Sequence, residues 1–168
     1  MHGIKKVVKM PEVWLVAALV FTTYAAFSGL AFLTPYVTEI FGMSVALGAF
    51  IGIIRSYVIM MLAPPISGVI ADKMHSTIKF MIIGLTLSII FTLVYVFMPG
   101  KSAFIIPVLI NMLILSIILL GMKGVFFAPL DEVRVPREYT GIAAGIVSFI
   151  GYVPDMFINS YYGGLLDS

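Results

Sequence analysis

The sequence predicts an all-α, polytopic membrane bundle of five transmembrane helices. Three observations carry this. Hydrophobic residues make up 61% of the chain and charged residues only 11%; a soluble domain carries roughly 25% charged residues to face water. The apolar residues gather into five uninterrupted runs, each near or above the ~20 residues that cross a ~30 Å hydrocarbon core as a helix. The runs do not alternate in polarity as barrel strands do, and a backbone in lipid must satisfy its own hydrogen bonds, which a helix does within one segment.

The first span is expected over about Val13–Val37 and the second over about Val45–Ile70, with Gly42 and Ser44 between them. The third covers Phe80–Met98 and the fourth Phe104–Ala128, separated by Pro99-Gly100. The fifth runs over about Ile142–Leu166, after the longest polar stretch, "PLDEVRVPREYTG". Ser102 and Thr140 are placed to cap the fourth and fifth helices. The first run continues through Leu33, longer than a signal-peptide core, so it is read as a retained span. Residues 1–168 form a single membrane domain.

Basic residues set the orientation. Lys5, Lys6 and Lys9 precede the first span, Lys73 and Lys79 lie between the second and third, and Arg134 and Arg137 lie between the fourth and fifth. With five alternating helices all of these fall on one side, against Lys101 on the other. The chain is therefore expected to be multi-pass in the cytoplasmic membrane, with its N-terminus in the cytoplasm.

Composition also excludes function classes. There is no cysteine, hence no disulfide or thiolate site. Two histidines, His2 and His75, are too few for a histidine metal cage. A formal charge of +2 with no basic cluster argues against nucleic acid. No cofactor or metal is expected. Nor is an enzyme: an intramembrane aspartyl protease needs two facing carboxylates, and Asp155 has no second one in the bilayer, since Asp72 and Asp131 fall in the loops.

Charges inside the bilayer cost several kcal/mol and mark function. Arg55 sits ten residues into the second span, ~15 Å deep at 1.5 Å per residue. Gly48, Gly52, Arg55 and Ile59 share a face. A guanidinium there suits bidentate contact with phosphate or carboxylate; the competing reading is a structural salt bridge, with Asp155 one partner. Tyr57, Asn111 and Lys123 complete the candidate substrate-binding set, although Lys123 lies where its side chain can snorkel and Asn111 and Asn159 equally suit packing. Pro154 removes an amide and kinks the fifth helix, beside Asp155, a candidate coupling or gating group. Ala25 and Gly29, and Gly141 and Gly145, form small-residue ridges suited to close helix approach.

The turn "GVIADKMHSTIKF" carries Gly68, Asp72 and Lys73 in a very short joint; Gly68 is expected to permit close approach of a neighbour, and Asp72 to accept backbone amides. The spacing Gly-x-x-x-Asp-Lys resembles the loop signature of the major facilitator superfamily, Gly-x-x-x-Asp-Arg/Lys-x-Gly-Arg/Lys. His75 stands where that signature prefers its second glycine, Ser76 and Thr77 replace the basic pair, and Lys79 supplies a late positive charge. Such a degenerate copy resembles the one these transporters carry between their eighth and ninth helices. The segment "GIAAGIVSFIGYVPDMFINSYYGGLLD" resembles their eleventh helix. The resemblance implies that the spans are helices seven to eleven of an incomplete transporter half. It implies secondary transport of a small solute by alternating access, with Gly68, Asp72 and Lys73 in gating and a missing half or second copy as partner. Arg55 leans the solute toward anions such as sugar phosphates or organic acids. The alternative is a truncated or structural membrane subunit without transport of its own.

Overall fold

The computed structural model describes residues 2–166. Within them the fold is all-α, with five helices long and apolar enough to cross a membrane. A short helix α1 (His2–Val8) leads into α2 (Pro11–Phe41), the longest element. The second span is α3 (Val45–Ile53), a π-helical segment (Ile54–Ile59) and α4 (Met60–Lys73) in one continuous rod. Then follow α5 (Thr77–Phe97), α6 (Ile105–Lys123), α7 (Ala128–Glu132), α8 (Thr140–Gly151) and α9 (Pro154–Leu166).

The sequence boundaries move at several points. α2 gains residues at both ends, starting on Pro11, whose fixed φ and missing amide suit a first helical position, and stopping at Gly42 with φ 70°. The fourth span ends early: α6 stops at Lys123, and α7 follows a separate turn. The fifth is two helices, α8 and α9, broken at Tyr152–Val153 where Pro154 cannot continue the ladder. Neither expected cap forms. Ser102 opens a 3-10 turn (Ser102–Phe104), and Thr140 is already helical, preceded by Tyr139 at the cap position.

Helix α2 is the hub, packing on α8 and α9 along one side and on α5 and α6 along another; α6 in turn packs on α4 and α5. Its fully buried valines, Val13, Val20 and Val37, meet Val108, Met112 and Val147 in one core. Hydroxyls in the spans are satisfied locally: Thr23 and Ser116 donate to the carbonyls four residues back, at 2.8 and 2.7 Å. That is how polar side chains sit in lipid without needing partners elsewhere.

Close helix contact falls on other glycines than the sequence pattern picks. A Cβ on Gly124 would lie 2.8 Å from the Pro64 Cα, and one on Gly151 would lie 2.6 Å from Val20 Cγ1. Gly124 lets the end of α6 approach α4 this nearly, as does Gly121, where a Cβ would run into Ser67, and Gly151 does the same for α8 on α2. Gly48 does pack, against Met43 and Thr34, but nothing lies within 4 Å of such a Cβ at Gly52, Gly68, Gly141 or Gly145. The close approach expected at Gly68 is therefore absent, because the neighbouring helix leans on Pro64 instead.

Alternation of the spans gathers Lys5, Lys6, Lys9, Lys73, Lys79, Arg134 and Arg137 at one end of the bundle, the basic end. Lys101 lies at the far end, beside the turn where Gly42 and Gly100 pack on Ser102 and Ile40.

Candidate functional site

Arg55 lies in the widened π-helical turn, half-buried. Such turns shift side chains out of the α-helical register and recur at functional positions. Its Nη1 donates to the Thr34 hydroxyl on α2 at 3.4 Å, a long contact for a charged donor. Among the described residues no lysine or arginine nitrogen lies within 4 Å of a carboxylate. The salt bridge weighed as the structural alternative for Arg55 is not formed here.

Asp155 is the second residue of α9, just past the break. The Tyr24 hydroxyl donates to its Oδ2 at 2.6 Å and the Ser28 hydroxyl to its Oδ1 at 3.3 Å. Tyr24 and Ser28 are one turn apart on α2, so both donors come from one face. The Tyr152 ring meets Tyr24 edge-on with centroids 4.7 Å apart, which holds the break against α2. Arg55 and Asp155, drawn from distant parts of the chain, line one cavity of about 210 Å³ with Phe27, Ser28, Leu30 and Ala31.

Lys123 does not run out to the surface. Its Nζ lies 4.1 Å from the centroid of the Phe27 ring, a cation–π contact with a wall of that same cavity. One cation, Arg55, thus lines the pocket from the π turn, and a second, Lys123 at the end of α6, rests on the Phe27 ring that forms part of its wall.

Other sequence candidates fall elsewhere. Asn111 is buried, and its Nδ2 donates to the Phe91 carbonyl at 3.0 Å, tying α6 to α5. Beside it Tyr95 is buried, its hydroxyl close to no partner at hydrogen-bond geometry among the described residues. Tyr57 is 72% exposed and does not line the Arg55 cavity. The Asn159 side chain lies outside the described residues. A larger cavity of about 500 Å³, lined by Ala26, Gly29, Leu33, Leu115 and Tyr162 among others, contains no charged side chain.

At the basic end Gly68, Asp72 and Lys73 close α4, with Asp72 and Lys73 exposed. Among the described residues no backbone amide donates to the Asp72 carboxylate; its main-chain carbonyl accepts from the His75 amide instead. Glu132 performs that task. Its carboxylate accepts from the Ser76 hydroxyl and, at 3.0 Å, from the Ile78 amide, while Ser76 itself accepts from the Lys79 amide at 3.2 Å. Partial burial pushes the Glu132 carboxyl up, but hydrogen bonds from Ser76, Ile78 and Thr77 and the Lys79 charge outweigh it and hold it below its usual value. No sequence signal pointed to Glu132, because its partners are 54 and 56 residues away. Tyr24 and Ser28 stand four residues apart in the chain, a spacing that puts them on one helix face, but nothing in the sequence marks them as partners of Asp155.

Comparison with known proteins agrees with a membrane role. The chain is 36% identical over 165 residues to inner membrane protein YihN of Escherichia coli, covering 96% of this chain and 38% of that protein. It is 27% identical over 175 residues to inner membrane protein YqcE of the same organism, covering 100% of this chain and 40% of that one. The chain is a membrane protein related to these two. It spans about two fifths of their length. No family model and no solved structure matches it.

Proposed function

We propose that the chain is part of a secondary transporter of the inner membrane, moving a small anionic solute by alternating access. Arg55 is the principal anion contact, Lys123 a second cation reached from the basic end, and Asp155 the coupling group. The single observation that carries this reading is the Arg55 guanidinium. It sits deep in a membrane span, partnered among the described residues only by the Thr34 hydroxyl, beside a cavity open to a ligand. An unpaired charge in hydrocarbon is expensive, and a bound anion offsets that cost.

The loop signature supports placing the chain in the major facilitator superfamily. His75, at the position where that signature prefers glycine, takes φ 53°, the left-handed conformation in which glycine is unstrained. On this reading the spans are helices seven to eleven, the basic end faces the cytoplasm, and further helices supply the opposing half, in the same polypeptide or a second chain. Broken, proline-bearing helices are where such transporters place substrate, and α8–α9 provides one.

The test is flux in reconstituted vesicles, with inorganic phosphate, sulfate and glucose 6-phosphate as probes. Uptake or exchange of one of them, lost in Arg55→Ala while the protein still inserts, supports the reading. Unchanged flux in that variant removes Arg55 from the binding role. Absence of flux, with insertion intact, favours a structural membrane subunit instead.

A further inference from the structure

We infer that α1 is an interfacial helix, and that Lys5, Lys6 and Lys9 form with Trp14 a docking surface for anionic phospholipid in the leaflet at the basic end. The surface lies outside the spans and is independent of the Arg55 cavity.

At 3.6 residues per turn α1 divides into three faces. Gly3 and Val7 make the first. Val7 is fully buried, and a Cβ on Gly3 would lie 3.0 Å from Ile142 Cδ1 and 3.3 Å from the Tyr139 ring, so this face seats on the start of α8. Ile4 and Val8 make the second face, and both are exposed. Lys5 makes the third with Lys9, which follows in the turn that ends the helix; both are exposed. Lys6 lies between the third face and the first, its Nζ 5.0 Å from the centroid of the Tyr139 ring.

The end of the helix is held as well. The Val7 carbonyl accepts from the Met10 amide at 3.0 Å, and the Val8 carbonyl accepts from the Trp14 indole at 2.8 Å. Carbonyls in a last helical turn need such outside donors. Met10, extended at φ −87° and ψ 109°, then turns the chain from α1 into α2. Trp14 is exposed, as is Leu15 after it. The pose of α1 is therefore fixed, with an apolar strip and a lysine strip side by side and a tryptophan where the first span begins.

That is the pattern of a helix lying in the headgroup region, with apolar side chains reaching the acyl chains and lysines among the phosphates. The charges decide which lipid. Glu12 and Glu138 are near neighbours along the chain of Lys9 and Tyr139, yet among the described residues no lysine nitrogen lies within 4 Å of a carboxylate. Lysines without protein counterions attract a net-negative headgroup, whereas a zwitterionic one brings its own cation and gains less. A soluble anion could meet the lysines but would leave Ile4 and Val8 in water.

Trp14 is the single tryptophan of the chain, so its fluorescence reports on this surface alone. The test is quenching in vesicles of phosphatidylcholine that carry the full chain and either brominated phosphatidylglycerol or brominated phosphatidylcholine at equal mole fraction. The brominated phosphatidylglycerol should quench more strongly, by a relative affinity of about threefold or more. The preference should fall toward unity in about 1 M salt, where the screening length is about 3 Å. Lys5→Gln/Lys9→Gln should lose most of the preference, while Lys79→Gln/Lys101→Gln, which removes the same charge elsewhere, should keep it. Preference that survives in Lys5→Gln/Lys9→Gln overturns the assignment to α1. Glycerol 1-phosphate in excess should leave the preference unchanged; displacement by it overturns the lipid surface in favour of a site for free phosphate esters. Equal quenching by the two lipids in the unaltered protein overturns the choice of anionic lipid. Absence of quenching by either means that protein covers this face, which overturns the inference without need of any variant.

Discussion

Two polar clusters, one inside the spans and one at the basic end, are built on opposite terms. At the basic end the Glu132 carboxylate receives the Ser76 hydroxyl and the Ile78 amide, and Ser76 in turn caps α5. Every member has a partner, and the partners belong to fixed elements. Inside the spans Arg55 has one long contact to a hydroxyl, Lys123 rests on an aromatic ring, and Asp155 is held by neutral donors rather than by either cation. Water at the basic end would forgive an unmade bond there, and the bond is made. Lipid forgives nothing, and the charges are left unpaired. On the proposed reading, cost accepted where it is highest marks a cluster that meets a ligand, while the saturated cluster holds helices together.

The comparison breaks first at Arg55. Arg55→Ala should weaken anion binding by about 100-fold or more, the scale of a lost charge-assisted pair. Its melting temperature should hold or rise, because a poorly paired charge leaves the bilayer. A large loss of stability with binding retained would make Arg55 structural and erase the contrast. Next is the packing between the clusters. Gly124→Val drives a side chain into Pro64, where even a Cβ comes within 2.8 Å of backbone, and should cost about 2–3 kcal/mol. Thermal melts would show it, and an undiminished melting temperature would mean that α4 and α6 are further apart than described.

Glu132→Gln should cost up to about 1 kcal/mol, as for a lost helix cap, reduced by solvent exposure, and leave anion affinity unchanged. Because the folded carboxyl sits below its ordinary value of 4.5, its contribution is fully present above that pH. It fades as pH falls through the lower, folded value. Melts of the two proteins should therefore differ at neutral pH and converge in acid; a difference that grows in acid would reverse the assignment. The smallest effect belongs to Thr34→Val. The 3.4 Å bond it removes is weak, so anion affinity should change by no more than about threefold, on the order of 0.5 kcal/mol. A larger loss would make Thr34 a ligand contact in its own right.

The sequence by itself determined the solvent and the count of spans. Composition and run length answer to the hydrocarbon core, a boundary condition that acts on each segment separately, so five apolar runs read directly as five helices and the basic residues fall at one end. Arg55 and Asp155 stood out for the same local reason, as charges in oily runs, and Pro154 marked the break beside Asp155. Tertiary structure alone decided what meets what. The convergence of Arg55, Lys123 and Asp155 on Phe27 and Ser28 depends on how α2, α6 and α9 pack. So do the tight contacts at Gly121, Gly124 and Gly151 and the reach of Glu132 to a helix 54 residues upstream. The π-helical turn under Arg55 is also invisible in the pattern of apolar residues. Such contacts follow from side-chain shapes fitting across distant segments, and no window along the chain contains both partners.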